Sequence, residues 1–214
     1  MRSFYARRRI GAVCVDKPAG FIYQLTTQDR SGAKGPVYLV ESERVISYIG
    51  LGSNLGDRAG NLLLGVRGLV EASFLVTKLS AIYETEPVGI ETDASFLNMV
   101  AEVRSEAVTP SQMMARLLRI EYLLGRTDKS LKKPRTIDLD LLLFGDKHTD
   151  TPFLTVPHPR MHQRKFVLVP LAEIAPRAMH PLLRRDAKTL LHETADDSAV
   201  VRWQPGAVRA GAHA

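Results

Sequence analysis

Alternating apolar and polar residues mark four short stretches of the chain as strands. The clearest of them runs from residue 96 to residue 103. Its apolar side, which is expected to pack against helices, consists of Leu97, Met99, Ala101 and Val103. Its other side is more polar and is expected to line a pocket; it consists of Phe96, Asn98, Val100 and Glu102. The remaining strands are predicted at 45–51, at 76–84 and in a stretch that ends near Phe144.

Two stretches with apolar residues at helical spacing lie between these strands. The first follows a glycine-rich turn and begins at Asp57, a good N-cap; its predicted buried stripe is Leu62, Leu63, Val66, Leu69 and Val70. The second begins at Thr109 and Pro110 and ends at Gly125; its predicted stripe is Met113, Leu117, Ile120 and Leu124. The resulting order predicts an α/β (α+β) fold with a ferredoxin-like βαββαβ core. Many functions share this arrangement, so it does not by itself indicate one.

Residues 1–44 differ in pattern from the rest of the chain. They contain the basic cluster Arg7–Arg9, then Asp16 and Asp29, and no sustained apolar run, so they resemble neither a secretory signal nor a transit peptide. We expect a poorly ordered N-terminal extension, explained best by a start codon assigned too early and otherwise by a basic arm for an anionic partner. Residues 45–182 are expected to form the domain, with additional C-terminal elements after the core, and 183–214 a C-terminal tail.

Charge and cysteine content narrow the class of protein. The 214 residues carry a formal net charge of +6, which predicts an anionic partner, either nucleic acid or a phosphorylated small molecule. A single cysteine, Cys14, excludes an internal disulfide framework and a cysteine-based zinc site, and it fits a reducing cytoplasm. No stretch approaches the roughly 20 apolar residues of a membrane span, so no membrane association is expected.

Two carboxylates stand where a basic segment becomes an apolar strand. Asp138 and Asp140 point to the same face of an extended chain, about 6.6 Å apart. Arg135 and a basic loop at 126–133 come before them, and a segment rich in histidine and arginine follows at 154–166. Hard divalent cations prefer oxygen ligands and arginine forks onto phosphoryl oxygens, so the pattern favours a site for metal-bound phosphate. Two solvated acids at the start of a strand are the alternative.

Five motifs in one order resemble those of the 6-hydroxymethyl-7,8-dihydropterin pyrophosphokinase family. They are Gly52–Gly56, Tyr83–Gly89, Phe96–Asn98, Pro134–Asp140 and Val156–Met161, and the resemblance covers about Val45 to Pro181. It implies a ferredoxin-like fold and an enzyme of folate (tetrahydrofolate) biosynthesis. Such an enzyme moves the β,γ-pyrophosphoryl group of ATP to the hydroxymethyl group of the pterin and releases AMP.

The resemblance also implies roles for individual residues. Asp138 and Asp140 would hold two Mg²⁺ ions, and Arg126 and Arg135 would be catalytic arginines that close over the triphosphate. The implied ATP contacts are Glu121, Arg126, Arg135, Leu141, Thr155, His158 and Arg164, with Arg160 a further candidate. The implied pterin contacts are Thr85, Val88, Phe96, Asn98 and Phe166. Taken alone, each phenylalanine is better explained by core packing, but Phe96 shares a strand face with Asn98, which favours the pocket. Glu121 is equally well explained as a helix-surface acid that faces Arg126.

The chain departs from the family pattern in the loop before Pro134. Asp128 stands where many relatives have a second arginine, Lys132–Lys133 replaces a tryptophan and glycine, and the loop is one residue shorter. Lysine has neither the bidentate fork nor the flat stacking surface of arginine, so loop closure and turnover are expected to differ more than metal binding. We expect a monomer in the cytoplasm that binds ATP and the pterin and has no nucleic-acid partner.

Two other functions fit parts of the pattern. A ferredoxin-like nucleic-acid-binding module would need an RNP1 motif on its third strand, and Phe96–Glu102 lacks the basic-glycine start and the spacing of that motif. A catalytically impaired relative that acts as the partner of another folate enzyme would fit the altered loop.

Overall fold

A computed structural model describes residues 12–15, 22–28, 34–40, 44–86, 94–126 and 134–206. The chain divides into two compact units, Met1–Arg44 and Val45–Ala214. The first unit contains an antiparallel sheet of β1 (Ala12–Val15), β2 (Ile22–Gln28) and β3 (Lys34–Val40), in that order. These strands were not expected, because the segment contains no long apolar run, and short paired strands need none. The predicted domain limits and the role of residues 1–44 stay predictions.

The second unit combines one large sheet with helices. Its strands are β4 (Arg44–Ser53), β5 (Leu75–Leu79), β6 (Tyr83–Thr85), β7 (Phe96–Glu106), β8 (Asp138–Phe144), β9 (Thr149–Thr151), β10 (Leu154–Val156), β11 (Met179–His180), β12 (Arg185–Asp186) and β13 (Val200–Arg202). Its helices are α1 (Arg58–Glu71), α2 (Pro110–Leu123), α3 (Lys165–Ile174) and α4 (Ala187–Glu193), with a 3₁₀ turn at Met161–Gln163. Among the described residues, every helix is too short or too polar to span a bilayer.

The large sheet has the strand order β13-β6-β7-β4-β8, and β5 also pairs with β7. The predicted βαββαβ order is therefore confirmed, with β4, β7 and β8 as its first, third and fourth strands. The predicted second strand at 76–84 is two strands, β5 and β6, that pair with successive parts of β7. The break falls at Ser80, whose hydroxyl takes the place of a backbone acceptor and receives the Val100 N–H at 2.9 Å.

Both predicted helices begin where their capping residues indicate. The Asp57 carboxylate accepts the Gly60 N–H at 3.0 Å, and Thr109 forms a reciprocal capping box with Gln112. The predicted stripe of α2 is buried at Met113, Leu117 and Ile120, and Leu124 packs partly buried against the same core.

The prediction that Leu63 and Val70 belong to the buried stripe of α1 is wrong. Leu62 and Leu69 are fully buried, but Leu63 and Val70 are 61% and 57% exposed. The packed face is centred on Gly65, where an added Cβ would lie only 3.2 Å from a methyl of Leu51. Leu63 and Val70 lie about 80 to 100° around the helix from Leu62, so they face away from the sheet.

The second face of the sheet is covered by the C-terminal part of the chain. Val100 and Leu142 pack there against Val167 and Leu171 of α3. The sequence pattern indicated a tail after residue 182, yet α4 buries Ala187 and Leu190, and β13 joins the sheet beside β6. Elements of seven and three residues contain too few periodic positions to be recognised from sequence.

Candidate active site

Glycine brings two groups of predicted site residues together on one face of the sheet. Gly52 in β4 pairs with Asp138 at the start of β8. A Cβ added to Gly52 would lie 3.0 Å from Asn98 Oδ1, 3.9 Å from Asp138 Cβ and 4.0 Å from the ring of Phe96. The absence of a side chain at Gly52 therefore leaves room between a predicted metal ligand and two predicted pterin contacts.

The Asp138 carboxylate holds both predicted catalytic arginines. Arg126 Nη1 donates to Oδ1 of Asp138, and Arg135 Nη1 lies 2.9 Å from Oδ2. The Arg126 side chain is only 5% exposed and also lies 3.1 Å from Glu121 Oε1. Such charge-assisted hydrogen bonds are roughly twice as strong as neutral ones. The two guanidinium groups are thus held beside the carboxylate that is expected to bind metal.

Glu121 is a buried acid, so its interpretation as a helix-surface residue is wrong. Its side chain is 2% exposed, and Oε1 accepts the Leu139 N–H at 2.6 Å as well as Arg126. Glu121 therefore links α2 to the start of β8 and holds the Arg126 guanidinium in place. Leu141 lies further along β8 with its side chain 3% exposed in the core, which leaves its main chain for any contact with a nucleotide.

Asp140 completes the pair of carboxylates on β8. Among the described residues, no three or more side chains of histidine, cysteine, aspartate or glutamate gather in a group that could hold a metal ion. Mg²⁺ commonly uses only one or two carboxylates and takes its other oxygens from substrate phosphates and water. Asp138 and Asp140 therefore fit a Mg²⁺ ion that arrives with a triphosphate.

Arg164 adds a further cation on the same side of the sheet. Burial lowers the pKa of Arg164, the positive charge of Arg160 adds to this effect, and the negative charges of Asp140 and Asp138 oppose it. Arg164 thus lies within electrostatic reach of both predicted metal ligands.

An arginine of the site lies over the ring of each phenylalanine that is predicted to stack on the pterin. The Arg135 guanidinium carbon lies 5.6 Å from the centre of the Phe96 ring, and that of Arg164 lies 5.4 Å from the centre of the Phe166 ring. Both phenylalanines are only partly buried, although Phe166 also packs against the apolar residues between the sheet and α3. Core packing alone therefore does not describe either ring.

Asn98, which is predicted to hydrogen-bond the edge of the pterin ring, is held in place by the neighbouring strand β6. Asn98 Nδ2 donates to Thr85 Oγ1 at 2.8 Å, and the two residues are 7% and 3% exposed. With Nδ2 engaged, Asn98 presents Oδ1 towards the space beside Gly52. Val88, the remaining predicted pterin contact, lies outside the described residues.

The predicted nucleotide contacts after β8 are held by hydrogen bonds within their own segment and to β8. The Arg160 N–H donates to His158 Nδ1 at 3.2 Å, so the proton of the neutral imidazole belongs on Nε2. The His158 N–H donates to Leu142 O at 2.9 Å, which fixes the segment against β8. Thr155 Oγ1 donates to Asp150 Oδ1 at 2.9 Å across the hairpin of β9 and β10. Arg160 itself is exposed.

Two residues that position the site have no role in the sequence analysis. Asn54 exchanges hydrogen bonds with Arg135: its Oδ1 accepts the Arg135 N–H at 2.8 Å, and its own N–H donates to Arg135 O at 3.2 Å. Arg58 Nη1 donates to Glu84 Oε1 at 3.0 Å and to Ser95 Oγ at 2.6 Å. The side-chain type alone signalled neither role, because both partners are distant in sequence.

Comparison with known proteins gives a consistent result. The family model described as 7,8-dihydro-6-hydroxymethylpterin-pyrophosphokinase (HPPK) matches residues 48–176. The chain is 50% identical over 130 residues to the 2-amino-4-hydroxy-6-hydroxymethyldihydropteridine pyrophosphokinase of Bacillus subtilis, which covers 60% of this chain and 77% of that protein. It is 37% identical over 142 residues to the enzyme of the same name from Aquifex aeolicus, which covers 66% of this chain and 87% of that protein.

A solved structure supports the fold. The Plasmodium falciparum HPPK-DHPS structure with pteroate superposes with a TM-score of 0.57 at 16% identity, over 71% of this chain and 44% of that one. At this identity the likeness concerns the fold, and it agrees with the ferredoxin-like core found here. Because the family model matches more than half of the chain, the chain belongs to the 7,8-dihydro-6-hydroxymethylpterin-pyrophosphokinase family.

Proposed function

We propose that this chain transfers the β,γ-pyrophosphoryl group of ATP to the hydroxymethyl group of 6-hydroxymethyl-7,8-dihydropterin and releases AMP, in folate biosynthesis. The observation that carries the proposal is the juxtaposition around Gly52. There the carboxylate of Asp138, with its two arginines, lies beside Asn98 and Phe96 on one sheet face. The proposed triphosphate site is thus adjacent to the proposed site for a flat, hydrogen-bonding ring, which supports the proposed reaction.

Asp138 and Asp140 are the residues that would hold Mg²⁺, with two ions expected. When bound with ATP, the metal would neutralise charge on the triphosphate and polarise its phosphoryl oxygens. Both oxygens of Asp138 are engaged by arginines. Arg126 and Arg135 are then expected to exchange that carboxylate for phosphoryl oxygens, which keeps each charge paired throughout.

The cations of the site position the triphosphate and stabilise its charge. Arg126 and Arg135 contribute forked donors, and His158 and Arg164 provide further phosphate contacts. Glu121 holds Arg126 at 3.1 Å so that its guanidinium stays close to Asp138. The attack falls on the β-phosphorus, so these residues must hold the α,β-bridging oxygen in line with the pterin hydroxyl. No covalent intermediate is needed, and the catalysis is positional and electrostatic.

The pterin is placed by two rings and an amide. Phe96 and Phe166 are proposed to sandwich it, with Asn98 Oδ1 accepting hydrogen bonds from the ring edge and Thr85 holding that amide in place. Val88 is proposed to contribute from the loop after β6. The nucleoside part of ATP is proposed to contact Thr155 and the main chain of Leu141.

The remaining expectations concern the protein as a whole. We propose a monomer that works in the cytoplasm, in keeping with its single cysteine. The alternative of a catalytically impaired partner protein is not favoured, because the relatives at 50% and 37% identity are named as pyrophosphokinases.

The proposal is tested by incubating the full-length chain with ATP, Mg²⁺ and 6-hydroxymethyl-7,8-dihydropterin and measuring AMP. AMP should form in equal amount to the diphosphorylated pterin and only when all three components are present. AMP formation that is independent of the pterin, or ADP in place of AMP, would contradict the proposed transfer.

A further inference from the structure

The first turn of α3 carries two predicted ligand contacts but lacks a cap of its own. Arg164 is the N-cap residue, and in the described structure its side chain makes no capping hydrogen bond. Lys165 follows it, so two cations stand at the helix end where the backbone dipole is already positive. The N–H groups of a first turn need acceptors from elsewhere in such a case. Phe166 lies in this same turn.

Asp196, from the segment after α4, supplies the missing acceptor. Its Oδ2 accepts the Lys165 N–H at 2.7 Å, and its Oδ1 accepts the Ser198 N–H at 3.0 Å. Burial acts to raise the pKa of Asp196, but the hydrogen bonds from Ser198 and Lys165 outweigh it, and the pKa is lowered. Asp196 is therefore a carboxylate at neutral pH with both oxygens engaged by backbone donors.

The same segment continues to the other side of the predicted pterin site. Val200 in β13 pairs with Thr85 in β6, and the Trp203 N–H donates to Ile82 O at 2.9 Å. Residues 194–203 thus contact β6, whose Thr85 holds the Asn98 side chain, and also α3, which contains Phe166. A segment interpreted from sequence as a tail connects the two halves of the site.

We propose that Asp196 is a positioning residue for substrate binding. It fixes the first turn of α3 and through that turn the Phe166 ring and the Arg164 guanidinium. The inference rests on the proposed function, because it takes Phe166 and Arg164 as contacts of the pterin and the triphosphate. An aspartate suits this position better than an asparagine, because its two oxygens accept from two separate N–H donors and an asparagine has only one acceptor oxygen.

The test compares Asp196→Ala and Asp196→Asn with the full-length wild type, and uses Asp197→Asn as the matched control. Asp197 is the exposed neighbour of Asp196, so its substitution changes the charge equally without touching α3. We expect Asp196→Ala to raise the KM for the pterin by about five- to tenfold, the factor that corresponds to a lost N-cap. Asp196→Asn should give a smaller rise and Asp197→Asn none.

The split between KM and kcat separates positioning from stability. Phe166 and Arg164 are taken as binding contacts, and Arg126 and Arg135 do not depend on α3. The KM values for the pterin and for ATP should therefore rise by a larger factor than kcat per folded molecule falls. A role in stability alone would lower the folded fraction, and with it the apparent kcat, while the KM for the pterin stayed at the wild-type value. That result would overturn the proposal.

Trp203 provides the control for folding, because it is the single tryptophan of the chain. Its fluorescence should show that residues 194–203 remain seated in Asp196→Ala at the assay temperature; loss of the native signal there would assign Asp196 to stability and overturn the positioning role. A wild type that forms no AMP would refute the proposed function itself. An active wild type with an unchanged KM in Asp196→Ala would refute only the role of Asp196.

Discussion

Two carboxylates on the same sheet, one buried and one partly buried, have different surroundings. Glu102 in β7 is 3% exposed and accepts from Tyr48 Oη at 3.2 Å, Thr77 Oγ1 at 2.8 Å and Lys78 Nζ at 2.9 Å. Asp138, at the start of β8, is bound by two arginines. The first carboxylate has one cation and two neutral hydroxyl donors; the second has two guanidinium groups.

The difference indicates that one carboxylate stabilises the fold and that the other serves ligand binding. Lys78 Nζ also lies 3.3 Å from the carbonyl of Ile174 at the end of α3, so the Glu102 cluster joins β5, β7 and α3. Its hydrogen bonds are all made within the fold, as expected of a stabilising network. The Asp138 cluster lies at a strand end, with Arg164 nearby as an additional cation. We expect its arginines to exchange the carboxylate for phosphoryl oxygens when a metal-bound nucleotide enters.

The largest expected effect is a loss of enzyme activity on substitution in the Asp138 cluster but not in the Glu102 cluster. Asp138→Asn should lower the rate of AMP formation by at least about a hundredfold, because the proposed metal ligand and the partner of two arginines are lost together. The variant should stay folded, since Arg126 keeps its ion pair with Glu121. The matched control is Glu102→Gln, which should keep a near-normal rate per folded molecule. Equal rates in Asp138→Asn and wild type would remove Asp138 from the site.

A second substitution tests the geometry of the cations. Arg135→Lys keeps the positive charge but loses the bidentate fork and the flat surface over Phe96, so kcat/KM should fall by about tenfold or more. The matched change in the other cluster is Lys78→Arg, where one point charge at a half-exposed position is sufficient and little change is expected. Steady-state kinetics on both variants checks this, and equal effects would show that the fork at Arg135 is not used.

The reverse comparison concerns stability. Glu102→Gln leaves the donors of Lys78, Thr77 and Tyr48 without a charged acceptor, and the free energy of unfolding should fall by about 1–3 kcal/mol. Denaturant unfolding of the variant and wild type measures the difference. An unchanged midpoint in denaturant would show that the Glu102 cluster does not stabilise the fold.

The smallest expected effect is a dependence on pH. Burial acts to raise the pKa of Glu102, but the hydrogen bonds from Lys78 and Thr77 outweigh it and hold the pKa below its ordinary value. A depressed pKa in the folded state means that the stabilisation is complete above the unfolded-state pKa of about 4.3 and is lost as the pH falls through the folded-state pKa. The stability difference between wild type and Glu102→Gln should therefore be constant near neutral pH and shrink in acid. A difference that is the same at pH 7 and at pH 3 would contradict the assignment.

Sequence patterns predicted those features that depend on neighbours in the chain. Asp57 and Thr109 cap their helices as expected, because a capping side chain acts within its own turn. The shared face of Asp138 and Asp140 follows from strand geometry. The order of strands along the chain follows from the alternation of apolar and polar residues within each of them.

Features that depend on a distant partner were missed. The exposure of Leu63 follows from how Gly65 packs against Leu51, which no periodicity records. Asn54, Arg58 and Asp196 act through residues far away in the sequence, so their types alone indicate no role. The alternative interpretation of Glu121 as a surface acid was wrong because the sequence does not show that β8 covers that side of α2.

Binding of a non-hydrolysable ATP analogue tests the central claim most directly. Calorimetry with the wild type, with and without Mg²⁺, should show that affinity depends strongly on the metal, and Asp138→Asn should lose that dependence while Glu102→Gln keeps it. Equal affinity with and without Mg²⁺ in the wild type, or an intact dependence in Asp138→Asn, would contradict the assignment of the Asp138 cluster as the site of metal-bound nucleotide.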